Sequence, residues 1–515
     1  MKRAVFGFVV VLLLSASVTQ GQRRPASVPR LGINLTGPAD WNTELPLVDV
    51  FRFSRKWISQ KPGTKWGRGP QLAMDSRGWI TVLAPNCWAD TPLCTIDGGH
   101  YPSGQYTVLY KGGGKIDFWG AAKVVRRQPG RIVIDVNPKR GPIWLRLKKT
   151  DPRDPIHDIH VLMPGFETSW KRNPWNPSFL RRWKGFAGLR FMDMMKTNNS
   201  LQTSWKHRPH LEDARWTPSG LPVEMLCDLA NRIGSDPWFC MPHRADDNYI
   251  RQFARLVKSR LDSKRTVYIE YSNEVWNRQF SQQRWAAKRG QSLGLAKKPW
   301  EAGWRYTARR SKEIFAIWED EFGGRDRLVR VLATQAANPY VSRQILEFEN
   351  AWQHADALAI APYFGLTPSP DKAKALIASG LSGVLDRVGK ESLPRAIEFT
   401  KQQKEIAAKY GLKLIAYEGG QHLVGIRGAE NNKELTRLFH EANRHTRMGE
   451  FYRRYYDAWA RSGGDLMCTF SSVSRWSKWG SWGLLQYADE NPADSPKFSA
   501  TRQWAKAHGQ DVAVP

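Results

Sequence analysis

The stretch VYIEYSNEVWN, residues 267–277, decides the fold. Its first five residues are apolar or aromatic apart from one glutamate, which predicts a buried strand. The polar pair Asn273-Glu274 follows the strand directly. The stretch LIAYEGG, residues 414–420, repeats the arrangement, with an apolar strand that ends in Glu418. Acids placed directly after short apolar strands are typical of α/β proteins, whose sites lie at the carboxyl ends of parallel strands.

Strands of this kind alternate with amphipathic helical patterns from about residue 185 to the end of the chain. The predicted strands are 30–35, 188–192, 238–241, 267–271, 328–332, 357–361, 413–417 and 465–470, and the predicted helices include 221–233, 247–261, 302–322, 392–410 and 444–461. Eight strand and helix alternations predict an α/β fold, a (β/α)₈ TIM barrel. A doubly wound open sheet fits the alternation nearly as well, but no G-x-G-x-x-G or Walker sequence is present.

A different residue pattern interrupts this alternation after the first strand and a helical turn near 48–57. Short β-rich runs bounded by Gly and Pro predict an inserted antiparallel module resembling a β-sandwich. The predicted organisation is a signal peptide at 1–21, the first barrel strand and helix at 22–66, the inserted module at 67–165 and the remainder of the barrel at 166–515.

The N-terminal stretch indicates export, and the composition restricts the class of protein. Lys2 and Arg3, followed by a short apolar run and small or polar residues up to Gly21, are typical of a secretory signal. We therefore expect a secreted or periplasmic protein without a membrane association after cleavage, an uncleaved anchor being the alternative. The 515 residues are 41% hydrophobic and carry a formal charge of +30, which excludes a disordered chain and favours an anionic partner or a self-repelling surface.

Five cysteines are compatible with an oxidising compartment. Cys87 and Cys94 flank a short segment containing Pro92 and are the preferred disulfide pair. Cys227 and Cys240 form either a second pair or two buried thiols. No C-x-x-C sequence occurs, so no metal site is expected, and His207 and His210 in a basic stretch are read as a surface loop.

The two acids define a chemistry. In a barrel, Glu274 after the fourth strand and Glu418 after the seventh would meet at one rim. Two carboxyls across a cleft are what retaining glycoside hydrolysis requires, because one attacks the anomeric carbon while the other protonates the leaving oxygen. The charge on the first raises the pKa of the second. No cofactor is needed for this reaction.

These residues resemble the clan A glycoside hydrolases, a (β/α)₈ superfamily that includes cellulases, mannanases and xylanases. The resemblance covers about residues 28–60 and 185–505 and leaves the β-rich module unexplained. It implies that Glu274 is the acid/base and Glu418 the nucleophile. It further implies that Asn273 binds the sugar hydroxyl beside the anomeric carbon and that Arg190 holds the nucleophile ionised.

Other residues extend the resemblance. Tyr363 resembles a strand-six tyrosine that donates to the nucleophile, although Ala361-Pro362-Tyr363 departs from the His-x-Tyr of cellulase-like enzymes. His243 either lines the cleft or caps the helix that begins near 247. Among the tryptophans after the last strand, Trp476 is expected to floor the catalytic subsite, the alternative being a core anchor.

The expected partner is a polysaccharide. The basic charge leads to the hypothesis that this polysaccharide is anionic, with contacts from rim cations: Lys206, Arg208, Arg244, Arg475 and Lys478. The alternative is a non-catalytic carbohydrate or polyanion binder on a glycosidase-like barrel. No nucleic acid partner is expected, since no basic helix, RNP-like strand or zinc finger occurs. The sugar, the linkage, endo or exo action and the oligomeric state stay open.

Overall fold

The computed structural model describes residues 28–512, so the expected signal peptide at 1–21 lies outside the described residues. The chain begins with strand β1 (Arg30–Asn34) and reaches a single 3₁₀ turn at Val50–Phe53. The Asp49 carboxylate accepts from the Phe51 amide and caps this turn. No α-helix separates β1 from the next strand, which differs from the strand and helix expected within 22–66.

The inserted module consists of antiparallel sheets. Its strands are β2 (Ile58–Gln60), β3 (Ala73–Met74), β4 (Ile80–Val82), β5 (Trp88–Leu93), β6 (Gly104–Lys111), β7 (Gly114–Gly120), β8 (Ala122–Gln128), β9 (Arg131–Val136), β10 (Ile143–Thr150) and β11 (His157–Leu162). Two four-stranded sheets have the orders β2-β5-β10-β7 and β11-β6-β9-β8, and β3 pairs with β4. Because β2 pairs with β5, the first sheet begins before the expected boundary at residue 67.

Alternation of side chains gives the module its own core. In β9 the residues Ile132, Ile134 and Val136 are buried, and in β10 Leu145 and Leu147 are buried in the same cluster. A strand presents alternate residues to one face, so each sheet turns an apolar face to the other and a polar face to solvent.

The barrel resumes after the module and closes. Its remaining strands are β12 (Gly188–Arg190), β13 (Asp236–Met241), β14 (Val267–Tyr271), β15 (Leu328–Ala333), β16 (Ala357–Ile360), β17 (Lys413–Ala416) and β18 (Gly464–Thr469). The order β1-β12-β13-β14-β15-β16-β17-β18 is fully parallel and closed, with β1 paired to both β12 and β18. The predicted (β/α)₈ barrel is therefore confirmed, and the open sheet is excluded.

Helices surround the barrel. They are α1 (Pro177–Trp183), α2 (Val223–Ile233), α3 (Asp247–Arg260), α4 (Ser281–Ser292), α5 (Pro299–Phe322), α6 (Pro339–Glu347), α7 (Pro370–Ala378), α8 (Gly380–Arg387), α9 (Leu393–Lys409), α10 (Lys433–Arg444), α11 (Thr446–Arg461) and α12 (Pro496–Ala507). Helix α1 follows the module, so the module is inserted between β1 and α1, inside the first β/α unit. No helix in residues 28–512 is long and apolar enough to cross a membrane.

Each barrel strand faces both inward and outward. Tyr268 of β14 belongs to the small cluster inside the barrel, while Ile269 packs with the helices outside. The interior of the barrel is narrow beside strand β1. A Cβ atom on Gly32 would lie 2.7 Å from both the Cys468 sulfur and the Gly188 carbonyl oxygen, so this position requires glycine.

The cysteine prediction is wrong for the preferred pair, because all five cysteines are buried free thiols. Cys87 and Cys94 lie at opposite ends of strand β5. An extended strand rises about 3.3 Å per residue, which separates the two Cα atoms by roughly 20 Å. A disulfide tolerates a Cα separation of at most about 7 Å. Cys227 and Cys240 are two buried thiols, the second of the two alternatives predicted for them.

We expect the native protein to resist thiol reagents and the unfolded protein to react at all five cysteines. The measurement is thiol labelling in denaturant without reductant, followed by intact mass. A protein reduced before unfolding serves as the control. Three labels instead of five would show that one pair of cysteines forms a disulfide.

Candidate active site

The ends of five barrel strands bring the polar residues of the interior together. Asn34 ends β1, Arg190 ends β12, and Glu274 and Glu418 follow β14 and β17 within three residues. Tyr363 follows β16 in the same way. These positions share the carboxyl face of the barrel, where enzymes of this fold carry out their chemistry.

Arg190 lies at the centre of the site and is completely buried. Its Nη1 donates to Glu418 Oε1 at 2.9 Å and to Asn34 Oδ1 at 3.1 Å. Its Nη2 donates to Glu270 Oε2 at 2.9 Å and to Asn273 Oδ1 at 2.8 Å. A single guanidinium thus holds side chains from three other strands in one arrangement, as a planar five-donor group can.

Glu418 receives two donors of different kinds. Besides the Arg190 guanidinium, the Tyr363 hydroxyl donates to its Oε2 at 2.9 Å. Gly419 follows, and a Cβ atom there would lie 2.6 Å from the Tyr455 hydroxyl, so only glycine lets the chain leave the strand at this point. The structure therefore places Arg190 and Tyr363 on the carboxyl that the resemblance makes the nucleophile.

Glu274 receives neutral donors only. The Tyr417 hydroxyl donates to Oε1 at 3.1 Å, and Asn277 Nδ2 donates to Oε2 at 2.9 Å. Ser272 and Glu274 both have positive φ, at 59° and 43°. Left-handed backbone costs about 1–2 kcal/mol for a residue with a side chain. This strain turns the chain out of β14 and presents the carboxyl to the barrel axis.

The pKa values of both carboxyls are raised. Burial raises the pKa of Glu418, against the opposing charge of Arg190, and the Glu274 carboxylate raises it further. Burial also raises the pKa of Glu274. Both acids therefore resist ionisation. Only Glu418 contacts a cation, and this contact favours its ionised form, whereas Glu274 has no such contact in residues 28–512.

Asn273 is fixed between the two acids. Its Oδ1 accepts from Arg190, and its Nδ2 donates to Asn198 Oδ1 at 3.0 Å. Gln282 donates to the Asn273 carbonyl and to the same Asn198 oxygen. The amide is therefore oriented before any ligand arrives, as a substrate-positioning group requires.

Glu270 is a member of the site that the sequence reading did not identify. Its Oε2 accepts from Arg190 and from the Trp238 indole at 2.9 Å, while its Oε1 is buried without a partner in the described part of the chain. The signal was present, because alternation along β14 places Glu270 on the same inward face as Tyr268.

The tryptophan that lies beside Tyr363 is Trp482 and not Trp476. The Trp482 ring contacts the rings of Tyr363, His422 and Phe470 at centroid distances of 5.8, 4.6 and 5.8 Å. Trp476 is buried elsewhere: its indole donates to the Gly483 carbonyl oxygen, and two cations cover its ring. Trp476 is thus the core anchor of the alternative reading, whereas Trp482 packs beside Tyr363, which donates to Glu418.

His243 does not cap a helix. The Asp246 carboxylate accepts from the Tyr249 amide and caps α3 instead. The His243 ring is buried, and neither of its nitrogens has a hydrogen-bond partner among the described residues. Burial lowers its pKa to about 4, so the ring is neutral. It packs against Trp285 and makes no hydrogen bond to either acid.

A cavity of about 590 Å³ lies between the loops that follow β1, β12 and β18. Trp41 and Trp479 line it and are 48% and 63% exposed. Asp193 and Lys196 line its β12 side, and Asp193 acts electrostatically on Glu418. Exposed indole rings beside polar groups suit a sugar, whose C–H faces pack on aromatic rings while its hydroxyls bind polar atoms.

The predicted rim cations separate into groups. Arg475 lines the cavity beside the acids and pairs with Asp97. Lys478 donates to Asn431, and Arg244 stacks on Trp285. Lys206 and Arg208 line a different cavity. Residues 28–512 contain no cluster of three or more His, Cys, Asp or Glu side chains that could hold a metal ion.

No family model matches this sequence, and no curated protein matches it. Solved structures that it resembles are glycoside hydrolases. A 4-O-α-L-rhamnosyl-β-D-glucuronidase from Fusarium oxysporum is 10% identical, with 66% of this chain and 67% of that chain covered and a TM-score of 0.38. A xyloglucanase from Bacteroides ovatus is 10% identical over 81% and 96% of the chains at a TM-score of 0.35. An endo-β-1,4-mannanase from Thermotoga petrophila is 11% identical over 64% and 72% at 0.36. The fold itself is defined by the closed barrel.

The raised pKa values of Glu274 and Glu418 predict a pH dependence of stability. A carboxyl whose pKa is raised in the folded state stabilises the protein while protonated, and this stability is lost as the pH rises above the ordinary glutamate range. Removing either carboxyl removes the coupled ionisation. We therefore expect Glu274→Gln and Glu418→Gln to flatten the decline of melting temperature between about pH 5 and pH 8.

The slope is measured by thermal unfolding in buffers across this range. Glu398→Gln, which replaces an exposed glutamate on α9, is the matched control and should keep the wild-type slope. Equal slopes in the wild type and the three variants would contradict raised pKa values of Glu274 and Glu418.

Proposed function

We propose that this protein is an exported retaining glycoside hydrolase that cleaves a polysaccharide by double displacement with two glutamates. The observation that carries the proposal is the unequal environment of two carboxyls at one barrel rim, of which Glu418 is buried and Glu274 half-buried. Glu418 contacts a guanidinium and a phenol, whereas Glu274 contacts neutral donors. Environments that separate the protonation states of two acids assign one as nucleophile and the other as acid.

In the first step the Glu418 carboxylate attacks the anomeric carbon of the bound sugar. The bond to the leaving oxygen breaks, and Glu274 donates its proton to that oxygen. A glycosyl ester on Glu418 results, and Glu274 becomes a carboxylate. Arg190 and Tyr363 hold Glu418 in its attacking orientation and keep it ionised until the bond forms.

In the second step Glu274 accepts a proton from a water molecule, whose oxygen attacks the anomeric carbon and releases Glu418 as a carboxylate. The product keeps the anomeric configuration of the substrate, because two inversions occur at one carbon. Asn273, already held by Arg190 and Asn198, is placed to bind a hydroxyl of the reacting sugar.

The cavity beside the acids supports a polymeric substrate. It is open, it is bounded by Trp41 and Trp479, and it adjoins Asp193, which acts electrostatically on Glu418. Aromatic rings at some distance from the reacting carbon bind sugar units that do not react, and their binding energy helps to orient the one that does.

Export is the part of the proposal that depends on residues 1–21. We expect the mature protein to begin near Gln22. Intact mass of the protein recovered from its native host, with the cytosolic fraction as control, gives the mature N terminus. A full-length chain in the cytosol would contradict export.

Removal of either acid should abolish hydrolysis. We expect Glu274→Gln and Glu418→Gln to lower kcat/KM by at least about 10³-fold on the best polysaccharide of a panel of neutral, uronic and sulfated polymers, because each carboxyl carries a separate proton or bond-forming role. Glu398→Gln should retain wild-type activity. Tight binding of one polymer without any hydrolysis, unchanged in both variants, would instead define a carbohydrate-binding protein.

Azide distinguishes the two roles. In Glu274→Ala the glycosyl ester still forms with a good leaving group, and azide replaces water at the anomeric carbon without needing a base. We therefore expect azide to accelerate this variant and to give a glycosyl azide of retained configuration. In Glu418→Ala azide takes the place of the nucleophile and gives the inverted product. The anomeric configuration is read by proton NMR, and exchanged outcomes would reverse the assignment.

A further inference from the structure

A second cavity, of about 560 Å³, lies between the inserted module and the barrel. Its walls are the turn between β3 and β4 and the loop that runs from β12 to α2. The module and this loop are joined there by a backbone hydrogen bond, in which the Ala214 amide donates to the Arg77 carbonyl at 2.9 Å. The cavity shares no lining residue with the cavity beside the two acids.

The lining is strongly basic. The charged and titratable side chains in it are Arg77, Lys206, His207, Arg208, His210, Arg215, Glu212 and Asp213. Of the two acids, Asp213 accepts the His210 backbone amide through its Oδ2. In residues 28–512, neither acid forms an ion pair with a lining cation, and only Arg208 pairs with an acid, Glu224, so Arg77, Lys206 and Arg215 have no ion-pair partner there.

Arg215 is the centre of this imbalance. Its guanidinium forms no hydrogen bond and no ion pair with any residue of the described chain, and its Nε is buried without a partner. Burial lowers the pKa of Arg215 with no opposing acid. Arg215 is half-buried, and a partly desolvated guanidinium without a protein partner is favourable for binding an anion.

Arg208 is prepared for the same anion. Its Nη2 donates to Glu224 at 2.9 Å and its Nη1 to the Pro209 carbonyl at 2.8 Å, while its guanidinium stacks on Trp205 at 4.6 Å. These contacts fix the side chain, yet its Nε is buried without a partner in the described residues. The cavity is thus lined by the Arg215 guanidinium, whose Nη atoms have no partner in residues 28–512, together with the fixed Arg208 and the exposed Lys206.

The loop that forms this cavity also reaches the candidate active site. It leaves the barrel at Arg190, contributes Lys196 to the cavity beside the acids, and then forms the wall with Lys206 and Arg215. A chain long enough to occupy both cavities would follow this loop across the carboxyl face of the barrel.

We propose that the cavity between the module and the barrel binds an oxyanion substituent, a sulfate ester or a uronate carboxylate, of an anionic polysaccharide. The identification of this polymer with the substrate rests on the proposed function. Arg215, Arg208 and Lys206 supply the donors, and Arg77 gives the inserted module a direct part in binding.

The test uses the full chain carrying Glu418→Gln, so that no polymer is consumed, and the unsubstituted chain in parallel. The probes are dextran sulfate, polygalacturonate and unsubstituted dextran, titrated by calorimetry at low salt. Arg215→Gln and Lys206→Gln are compared with Arg395→Gln and Lys374→Gln, which remove exposed charges on α9 and α7 without ion-pair partners in residues 28–512. We expect Arg215→Gln to weaken binding of at least one anionic polymer about tenfold, as loss of a charge-assisted hydrogen bond does. The controls should change it less than twofold.

A stability measurement separates binding from a structural role. Because the Arg215 charge is desolvated and unpaired, Arg215→Gln should raise the melting temperature of the protein without polymer. A structural arginine would lower it. Lys206→Gln replaces an exposed side chain and gives the same binding test without depending on the stability of Arg215→Gln.

The outcomes decide between sources and between classes of ligand. If Arg215→Gln weakens binding of dextran sulfate alone, the site recognises sulfate esters. If it weakens binding of polygalacturonate alone, the site recognises uronates. Equal losses in Arg215→Gln and Arg395→Gln would overturn the proposal in favour of net charge, and no loss in either would show that Arg215 takes no part in binding. Duplex DNA bound as tightly and with the same dependence on Arg215 would overturn the polysaccharide assignment. Binding that depends on Arg215 in a chain that hydrolyses none of the polymers would sustain this site and refute the proposed hydrolase.

Discussion

The buried guanidinium of Arg190 is the interaction on which the site depends. It sits inside the barrel without exposure to solvent and joins strands β1, β14 and β17 through Asn34, Glu270 and Glu418. An unpaired buried cation would cost several kcal/mol, and two carboxylates offset that cost. The same pairing leaves no cation for Glu274. One arginine therefore stabilises the interior and gives the two acids unequal surroundings, because it opposes the rise in pKa of Glu418 through a direct contact that Glu274 lacks.

This arrangement is maintained at the expense of stability. Glu274 and Ser272 occupy left-handed backbone, Glu270 Oε1 lacks a partner in the described chain, and burial opposes ionisation of every acid around Arg190. Strain and unsatisfied polar atoms of this kind persist only where the surrounding structure holds them in place. Here the closed ring of parallel strands does so, since each strand is paired on both sides.

The barrel could be predicted from the sequence because each strand is a short apolar run and the acids follow directly. Arg190 was recognisable for a related reason, as a charge inside such a run. Features that depend on loop conformation were not accessible. Trp476 and Trp482 lie six residues apart in one loop, and only its path shows which ring meets Tyr363. The disulfide prediction was wrong because Pro92 suggested a turn between the two cysteines. Strand β5 instead stays extended through Pro92, which lies opposite Trp144 of β10.

The position of the inserted module follows from barrel topology and bears on its role. The loop after β1 leaves the barrel at the carboxyl face, as every loop between a strand and its following helix does. An insertion between β1 and α1 must therefore begin at the rim that carries Glu274 and Glu418, and an insertion between α1 and β12 would have emerged at the opposite end. The module has its own core, to which Ala214 of the loop after β12 also contributes. Its contact with the loop after β12, through Arg77 and Ala214, places a basic turn of the module beside a loop that begins at Arg190.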